Sequence, residues 1–304
     1  MAEVKNAVIV GAGPAGMAAA IYLQRAGLAP LVLEKDTPGG LLRNANLVEN
    51  YPGFARGIRG EELAARFVEQ VESLGIEVKK DSAKKVKLTG NIFKTVTESA
   101  ELASRGVIIA SGTRPRAPRI PGVEGLKGKK VFSDIVSMHI PENKENHYLV
   151  LGGGDAAFDY ALNLCGRGHR ATIVSRSQPQ CLPLLRERAA ANGIAVREGI
   201  LVEQVEETVQ GVVMRCRAGP RRLRLYGDAV VVAYGRTPEL GMLDRALLKR
   251  VKNIESHPAT EVPGLYLAGD VAQGKNRQTG IAVGDGIMAA MLLEQFVASR
   301  RRKG

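Results

Sequence analysis

The sequence predicts an α/β protein built from two βαβ-type domains, the first of them discontinuous along the chain. A strand, a glycine-rich turn, a helix and a second strand follow one another within residues 7–34, and the same succession returns 141 residues later, within 148–175. Glycine makes up 35 of the 304 residues, more than the about 7% that is usual, as a chain with many tight turns requires. Because a βαβ unit places its two strands parallel in one sheet, each copy predicts a parallel sheet of its own.

The first copy begins with residues 7–10, an apolar run too short for a helix and therefore read as a buried strand. The turn at 11–16 follows, and residues 17–26 predict an alanine-rich helix. Residues 31–33 predict the second strand, and Glu34 stands at its end.

The turn Gly-Ala-Gly-Pro-Ala-Gly suits the pyrophosphate of a dinucleotide. Gly11 permits the tight turn, Gly13 lets the backbone approach a phosphate, and Gly16 lets the helix pack closely on the strand. The helix N-terminus supplies N–H donors, and a carboxylate at the end of the second strand accepts the hydroxyls of an adenosine ribose. The residues predicted to bind this dinucleotide are Gly11, Gly13, Pro14, Ala15, Gly16 and Glu34.

The second copy carries the same fingerprint with two changes. Ala157 stands where the first copy has Gly16, which the fingerprint tolerates, and Ser175 stands where it has Glu34. A neutral Ser175 followed by Arg176 would accept a 2′-phosphate that a carboxylate would repel, which favours NADP over NAD. The residues predicted to bind the nicotinamide nucleotide are Gly152, Gly154, Asp155, Ala156, Ser175, Arg176 and Gly235.

A second internal sequence similarity marks the domain boundaries. Residues 107–112 resemble residues 230–235, and a proline follows within three residues in both. The proline-rich stretch 113–122 predicts the crossing out of the first domain, and 234–239 predicts the return. The final strand and the long final helix, from about Thr279, would then rejoin the first domain. We therefore predict two Rossmann-like domains, one formed by residues 1–116 and 239–304 and one by 117–238.

Charge and cysteine content limit the function classes. The formal net charge of +12 suggests an acidic partner, without choosing among nucleotides, anionic lipid, nucleic acid and acidic protein. Cys165, Cys181 and Cys216 form no Cys-x-x-Cys and no metal cluster, so we expect no metal site and a reducing, cytoplasmic setting. We also expect no membrane span, since no stretch of about 20 consecutive apolar residues stands out.

Further motifs give the chain a family resemblance. They lie at 38–41 (Pro-Gly-Gly-Leu), 49–54 (Glu-Asn-Tyr-Pro-Gly-Phe), 110–115 (Ala-Ser-Gly-Thr-Arg-Pro), 265–270 (Leu-Tyr-Leu-Ala-Gly-Asp) and 278–279 (Gln-Thr). Together with the two fingerprints, they make the sequence resemble the low-molecular-weight thioredoxin reductases, flavoproteins that use FAD and a pyridine nucleotide. The resemblance covers nearly the whole length.

The resemblance implies an FAD site in the first domain and a homodimer. Asp270 would hold the ribityl chain of the flavin, and the backbone around Gln278 and Thr279 would face the flavin N1/O2 edge, where a helix N-terminus stabilises negative charge. The FAD residues implied beyond the first turn and Glu34 are Lys35, Gly40, Leu41, Asn50, Ala110, Gly112, Gly269, Asp270, Gln278 and Thr279.

Two departures from the family pattern matter. The family's Cys-x-x-Cys and following acid would fall near Ile135, Met138 and His139, where this chain has no cysteine. Of the family's His-Arg-Arg-x-x-x-Arg pattern only Arg176 remains, so NADPH is favoured while NADH, weak NADPH binding or no nicotinamide nucleotide stay open. Two interpretations of His139 also stay open, a proton donor near the flavin and an exposed loop histidine.

The function expected is an FAD-dependent NAD(P)H oxidoreductase without a catalytic disulfide, passing hydride from NAD(P)H to FAD and electrons to an unknown external acceptor. One alternative is a ferredoxin- or flavodoxin-NADP reductase, because the segment 215–224 carries five arginines and no acid. The same segment is also interpreted as a solvated hairpin with no partner. It has no aromatic side chains that could stack on bases, which argues against a nucleic-acid partner. A second alternative is a non-catalytic flavin-binding redox sensor or scaffold.

Overall fold

The computed structural model describes residues 3–251 and 257–302. The chain divides into two compact units. Unit 1 comprises residues 1–43, 49–114 and 237–304, and unit 2 comprises residues 44–48 and 115–236. The sequence places residues 44–48 in the first domain, whereas the structure groups them with unit 2. The chain passes between the units at residues 43/44, 48/49, 114/115 and 236/237, the last two within short strands. Each unit is described separately below.

Unit 1 is built on a mixed sheet with strand order β3-β2-β1-β6-β5-β4, in which β17 also pairs with β6. The β3-β2-β1-β6 part and the β6–β17 pair are parallel, while β5 runs antiparallel to both β4 and β6. Its strands are β1 (Val4–Val10), β2 (Leu31–Glu34), β3 (Glu77–Lys80), β4 (Ala83–Thr89), β5 (Ile92–Thr97), β6 (Glu101–Ile109) and β17 (Leu265–Leu267). The strand β7 (Thr113–Pro115) follows β6 at the first crossing.

The helices of unit 1 cover this sheet with apolar faces. They are α1 (Pro14–Arg25), α2 (Gly60–Ser73), α6 (Arg245–Arg250) and α7 (Thr279–Arg301). Ile9 and Ile108 of the central strands and Leu23 of α1 have no exposed surface, and neither has Leu293 of α7. These side chains belong to one hydrophobic cluster, which fixes α1 and α7 on the same face of the sheet.

Helix α7 bears on the expectation that the chain has no membrane span. Within the described residues, Thr279–Arg300 is long and apolar enough to cross a membrane, but by length and composition alone. Its many glycines and alanines hide this pattern from a search for bulky apolar residues. The core helix of a globular domain meets the same criterion, and Ala289, Ala290 and Leu293 of α7 are fully buried against α1 and the sheet.

Unit 2 contains a parallel sheet of order β11-β10-β9-β15-β8. Its strands are β8 (Val131–Phe132), β9 (His147–Leu151), β10 (Arg170–Val174), β11 (Ala195–Arg197) and β15 (Ala229–Val232). The helices of unit 2 are α3 (Val123–Leu126), α4 (Asp155–Gly166) and α5 (Pro183–Ala191). The predicted α/β class with two Rossmann-like domains is confirmed. Helix α1 begins at Pro14, three residues earlier than the sequence indicated, because Gly13 within the glycine turn is its N-cap. Helix α4 likewise begins directly after its N-cap, Gly154.

A separate antiparallel sheet belongs to unit 2, with strand order β12-β13-β14. Its strands are β12 (Leu201–Thr208), β13 (Gly211–Ala218) and β14 (Arg221–Gly227), and β16 (Arg236–Pro238) lies at the return crossing. Met214 and Cys216 point into a hydrophobic cluster while Arg215 and Arg217 are exposed, the alternation that the strand period requires.

Candidate functional site

Three glycine-containing turns of unit 1 meet at one edge of its sheet. Strands β1, β6 and β17 are mutually parallel neighbours, so the residues that follow their carboxyl ends lie side by side. These residues are Gly11, Ala110 and Ala268, the last followed by Gly269, and each belongs to a motif singled out from the sequence. In open α/β sheets this edge is where ligands bind.

The first turn leaves room for a phosphate. Gly11 has a φ of +106°, and a Cβ on it would overlap the carbonyl oxygen of Ala110. A Cβ on Gly16 would likewise overlap the carbonyl oxygen of Gly11, whereas a Cβ on Gly13 would meet no atom within 4 Å. Gly13 is the N-cap of α1 and Pro14 its first residue, so the helix N-terminus opens beside that free space. The turn therefore offers backbone N–H groups and a positive helix end to an anion.

Glu34 is held next to this turn. It is 8% exposed, and both of its carboxylate oxygens accept backbone hydrogen bonds. The Ala12 N–H donates to Oε2 at 2.7 Å, and the Asp36 N–H donates to Oε1 at 2.9 Å. Each oxygen keeps a second lone pair for a hydroxyl donor. The adjacent Lys35 side chain is exposed.

The segment after β2 folds back over the glycine turn. The Gly39 N–H donates to the Ala12 carbonyl at 2.8 Å, and a Cβ on Gly40 would lie 3.3 Å from the Cα of Gly13. Gly40 opens a 3-10 turn, Gly40–Asn44, in which Leu41 is half-buried. Gly40 and Leu41 therefore lie against the same turn as Gly13.

Two further predicted residues meet at the start of α7. Asn50 Nδ2 donates to Gln278 Oε1 at 2.8 Å, and Gln278 is the N-cap of α7, with Thr279 as the first helical residue. Asp270 lies in the 3-10 turn Gly269–Val271, directly after β17. Gly112 follows β6 with a φ of +64°, and its carbonyl accepts from the Glu239 N–H at 3.0 Å.

The arrangement in unit 1 fits a dinucleotide. Free space over Gly13, a helix N-terminus and a buried carboxylate at the end of β2 are the features that a pyrophosphate and an adenosine ribose require. The start of α7 supplies a second helix N-terminus at Thr279.

The glycine turn of unit 2 has the same construction. Gly152 has a φ of +147°, and a Cβ on it would lie 2.6 Å from the Ala233 carbonyl oxygen. Gly154 caps α4 and faces open space, and Ala156 is exposed in the first helical turn. Asp155 Oδ1 accepts from the Leu182 N–H at 2.8 Å, which ties the loop after β10 to this helix start.

Ser175 and Arg176 have different environments. Ser175 is 4% exposed, and its hydroxyl donates to the Ser177 carbonyl at 2.6 Å, so this side chain packs inside the loop. Arg176 is exposed. Burial raises the pKa of Tyr234, and the positive charge of Arg176 partly opposes that rise. Tyr234 precedes Gly235, which follows β15 with a φ of +84°. The guanidinium of Arg176, rather than the Ser175 hydroxyl, is thus available to a ligand.

Apolar side chains pack at the positions where the resemblance expects the paired cysteines. Ile135 is 2% exposed and Met138 is partly buried in the same hydrophobic cluster. Asn44 Oδ1 accepts from the N–H groups of Ile135 and Val136 at 2.9 and 3.0 Å, which fixes the loop. His139 is exposed.

The three cysteines are free thiols, and burial raises the pKa of each. Cys216 is 1% exposed, and its pKa rises to about 11. The pKa values of Cys165 and Cys181 are also raised, chiefly by burial. Because the thiolate is the reactive species, none of these groups is set up as a nucleophile. Within the part of the chain that the structure describes, no group of three or more His, Cys, Asp or Glu side chains could hold a metal ion.

Asp159 is a titratable group that the sequence analysis missed. It lies on α4, one turn after the second glycine turn, and burial raises its pKa to about 6. Both carboxylate oxygens lie 3.2 Å from the Asn46 backbone nitrogen, and Asp155 adds a like charge. A partner 113 residues away along the chain gives no sequence signal.

Asp159→Asn should stabilise unit 2 near neutral pH. The folded pKa of Asp159 lies above its unfolded value of about 4, so ionisation costs stability as pH rises from about 4 to 6. Removing the charge should raise the free energy of unfolding at pH 7 by about 1–3 kcal/mol, while the two proteins should be equally stable near pH 4. Urea unfolding at both pH values measures this, and an equal gain at pH 4 would contradict the assignment.

Comparisons with known proteins agree with this geometry. The sequence matches the pyridine nucleotide-disulphide oxidoreductase family over residues 5–286. It is 33% identical to a thioredoxin reductase of Streptomyces clavuligerus, over 98% of this chain and 96% of that protein. The structure is similar to Lactococcus lactis thioredoxin reductase, with a TM-score of 0.87 and 28% identity over 97% of this chain and 99% of that one. The T. acidophilum thioredoxin reductase gives a TM-score of 0.84 at 27% identity, over 95% and 97% of the two chains.

Proposed function

The chain belongs to the pyridine nucleotide-disulphide oxidoreductase family and is a thioredoxin reductase-like, FAD-dependent NAD(P)H enzyme; from this premise we propose that it works without a catalytic disulfide and delivers electrons to an external acceptor. One observation carries the proposal. Apolar Ile135 and Met138 stand where the resemblance places the redox cysteines, and they pack into the hydrophobic core of unit 2.

The remaining cysteines support the same conclusion. Dithiol exchange needs a thiolate with a second thiol beside it, and all three cysteines here are free and have raised pKa values. Bound FAD would supply the redox chemistry, taking hydride from NAD(P)H and releasing electrons to the acceptor. The chain's own part is to bind and orient the nucleotides.

In unit 1, the first glycine turn would bind the pyrophosphate of FAD, and Glu34 would accept hydrogen bonds from the adenosine ribose. Asp270 would hold the ribityl chain, and the helix N-terminus at Gln278 and Thr279 would stabilise negative charge on the flavin edge. Their common position at the carboxyl edge of one sheet supports these roles.

NADPH is the nucleotide we propose for unit 2, bound at the Gly152–Gly154 turn with its 2′-phosphate on Arg176. The exposed guanidinium supports this role, since arginine is suited to a phosphate. The Ser175 hydroxyl donates to the Ser177 carbonyl, so we assign no phosphate contact to this side chain.

Arg176→Ala should raise the KM for NADPH about 10- to 100-fold, the effect of losing one charge-assisted phosphate contact. The KM for NADH should not change, because NADH lacks the 2′-phosphate. Steady-state kinetics with ferricyanide as an artificial acceptor measure both. An equal loss with both nucleotides would contradict the assigned role of Arg176.

Anaerobic titration of the holoenzyme with NADPH and with NADH tests the proposed function. Bleaching of the flavin band near about 450 nm by NADPH at lower concentration than by NADH is the expected result. If neither nucleotide bleaches the flavin while dithionite does, the proposed hydride transfer from NAD(P)H to FAD is wrong, and the hypothesis of a redox sensor or scaffold takes its place.

A second candidate function is that of a ferredoxin- or flavodoxin-NADP reductase, and one surface favours it. Arg215, Arg217, Arg222 and Arg224 share the solvent-exposed side of the β13–β14 hairpin, and we call them the arginine face. Arg215 and Arg217 form ion pairs with Glu206 and Glu203, both at 2.9 Å. Among the described residues, Arg222 and Arg224 have no carboxylate partner. Each lies directly opposite another arginine of the face, Arg217 or Arg215, which is an unfavourable pairing of like charges. An acidic carrier would neutralise this charge.

The test is electron transfer from NADPH-reduced protein to ferredoxin or flavodoxin at low salt. The double variant Arg222→Glu with Arg224→Glu should slow it at least about 10-fold, while reversal of the exposed Arg56 and Arg59 in unit 1 serves as the control. No transfer to either carrier in the wild type would exclude this candidate.

A further inference from the structure

Asp285 connects helix α7 to the turn that carries Asp270. It lies in the second turn of α7, and its Oδ2 accepts two hydrogen bonds. The Gly269 N–H donates to it at 3.2 Å, and Gln273 Nε2 donates at 2.9 Å. Neither the sequence motifs nor the family resemblance pointed to this residue.

The first of these bonds fixes the start of the turn. Gly269 opens the 3-10 turn Gly269–Val271 with a φ of +77°, and the Ala272 N–H closes it on the Gly269 carbonyl at 2.8 Å. Asp270 is the middle residue of that turn, so its direction depends on the anchored Gly269. We propose that Asp285 is a positioning residue for FAD, setting the direction of Asp270; this rests on the role of Asp270 in the proposed function.

The second bond extends the connection toward the start of α7. Gln273 is 5% exposed, and its backbone carbonyl accepts from Arg277 Nε at 3.2 Å. Arg277 directly precedes Gln278, the N-cap of α7. One carboxylate thus holds both segments that the proposed function places on the flavin, the Asp270 turn and the loop leading to Gln278.

Close backbone packing keeps Asp285 itself in place. The next residue, Gly286, lies so near α1 that a Cβ on it would overlap the carbonyl oxygen of Ala15. Gly269 approaches the same residue, since its Cβ would lie 2.8 Å from the Ala15 Cβ. Gly286, next to Asp285, and the turn at Gly269 therefore both pack on Ala15, which lies within the first glycine turn.

Asp285→Ala removes the acceptor of both bonds, and Asp285→Asn keeps an oxygen that can accept them. We expect Asp285→Ala to weaken FAD binding about 10- to 100-fold and to change the visible circular dichroism of the flavin. Asp285→Asn should bind FAD within about threefold of the wild type, the rescue expected of a positioning role. Full-length apoprotein reconstituted with FAD provides the dissociation constant and the spectrum, without any turnover.

Asp244→Ala is the matched control. Asp244 is the N-cap of α6 in the same unit, and its Oδ1 accepts from the Leu247 N–H at 2.9 Å. Its loss should lower the melting temperature and leave FAD affinity unchanged. Gln273→Ala, which removes one of the two donors, should weaken FAD binding about 3- to 10-fold and serves if Asp285→Ala fails to fold.

Wild-type FAD affinity and an unchanged flavin spectrum in Asp285→Ala, or in Gln273→Ala, would overturn the inference. So would an Asp285→Asn protein as impaired as Asp285→Ala. The outcome is separable from that of the proposed function. FAD binding by the wild type without bleaching by NADPH or NADH defeats the proposed function alone, and normal bleaching with an unaffected Asp285→Ala defeats the positioning role alone.

Discussion

Gly286→Ala is expected to destabilise unit 1 by about 3 kcal/mol and to weaken its hold on FAD. The added methyl group would overlap the Ala15 carbonyl oxygen, which belongs to the first turn of α1 and cannot move without disturbing the glycine turn. Relief requires α7 to separate from α1, where fully buried Leu23 and Leu293 belong to one cluster. The variant thus affects both the core and the candidate FAD site.

Gly284→Ala, two residues earlier in the same helix, provides the control. A Cβ on Gly284 would meet no atom within 4 Å, so alanine should stabilise the helix by about 0.5–1 kcal/mol. Urea unfolding followed by far-UV circular dichroism, together with release of the flavin absorbance, measures both variants. Equal stability of the two alanine variants would show that α7 and α1 do not pack as described.

Glu34→Ala is expected to reduce FAD affinity at least about 100-fold. The substitution removes the carboxylate proposed to bind the ribose hydroxyls, and it leaves the Ala12 and Asp36 N–H groups without their acceptor in a site only 8% exposed. Loss of the Ala12 bond also frees the turn that would bind the pyrophosphate. Both effects act in the same direction.

FAD affinity of the reconstituted apoprotein measures the Glu34→Ala effect. Glu77→Ala is the control, because Glu77 lies on the adjacent strand β3 with an exposed side chain. If the Glu34→Ala protein binds FAD with wild-type affinity, Glu34 does not contribute to FAD binding and the proposed role of its carboxylate is wrong.

Local pattern predicted the parts of the fold that depend on neighbours in sequence. The strand, glycine turn and helix at residues 4–25 and 147–166 follow from apolar runs and from glycines at fixed offsets, so their order could be read directly. The start of α7 at Thr279 was predicted from the Gln-Thr motif, and the structure begins the helix at that residue.

Long-range contacts explain what could not be predicted. Residues 44–48 group with unit 2, where Asn44 Oδ1 accepts from the Ile135 N–H, 91 residues away along the chain. Asp159 bonds to Asn46 across 113 residues, and Asp285 bonds to Gly269 and Gln273 from the interior of a helix. These residues come together only when the strands and helices assemble. Their hydrogen bonds therefore cannot be predicted from composition or from the spacing of motifs.

Counting the electrons taken up per flavin tests the central claim most directly. Anaerobic titration of the FAD-loaded protein with dithionite would be followed by flavin absorbance and by thiol content before and after reduction. With Ile135 and Met138 in the place of a redox disulfide, full reduction should consume two electrons per FAD and produce no new thiols. Uptake of four electrons, with two additional thiols appearing, would contradict the proposal that the enzyme works without a catalytic disulfide.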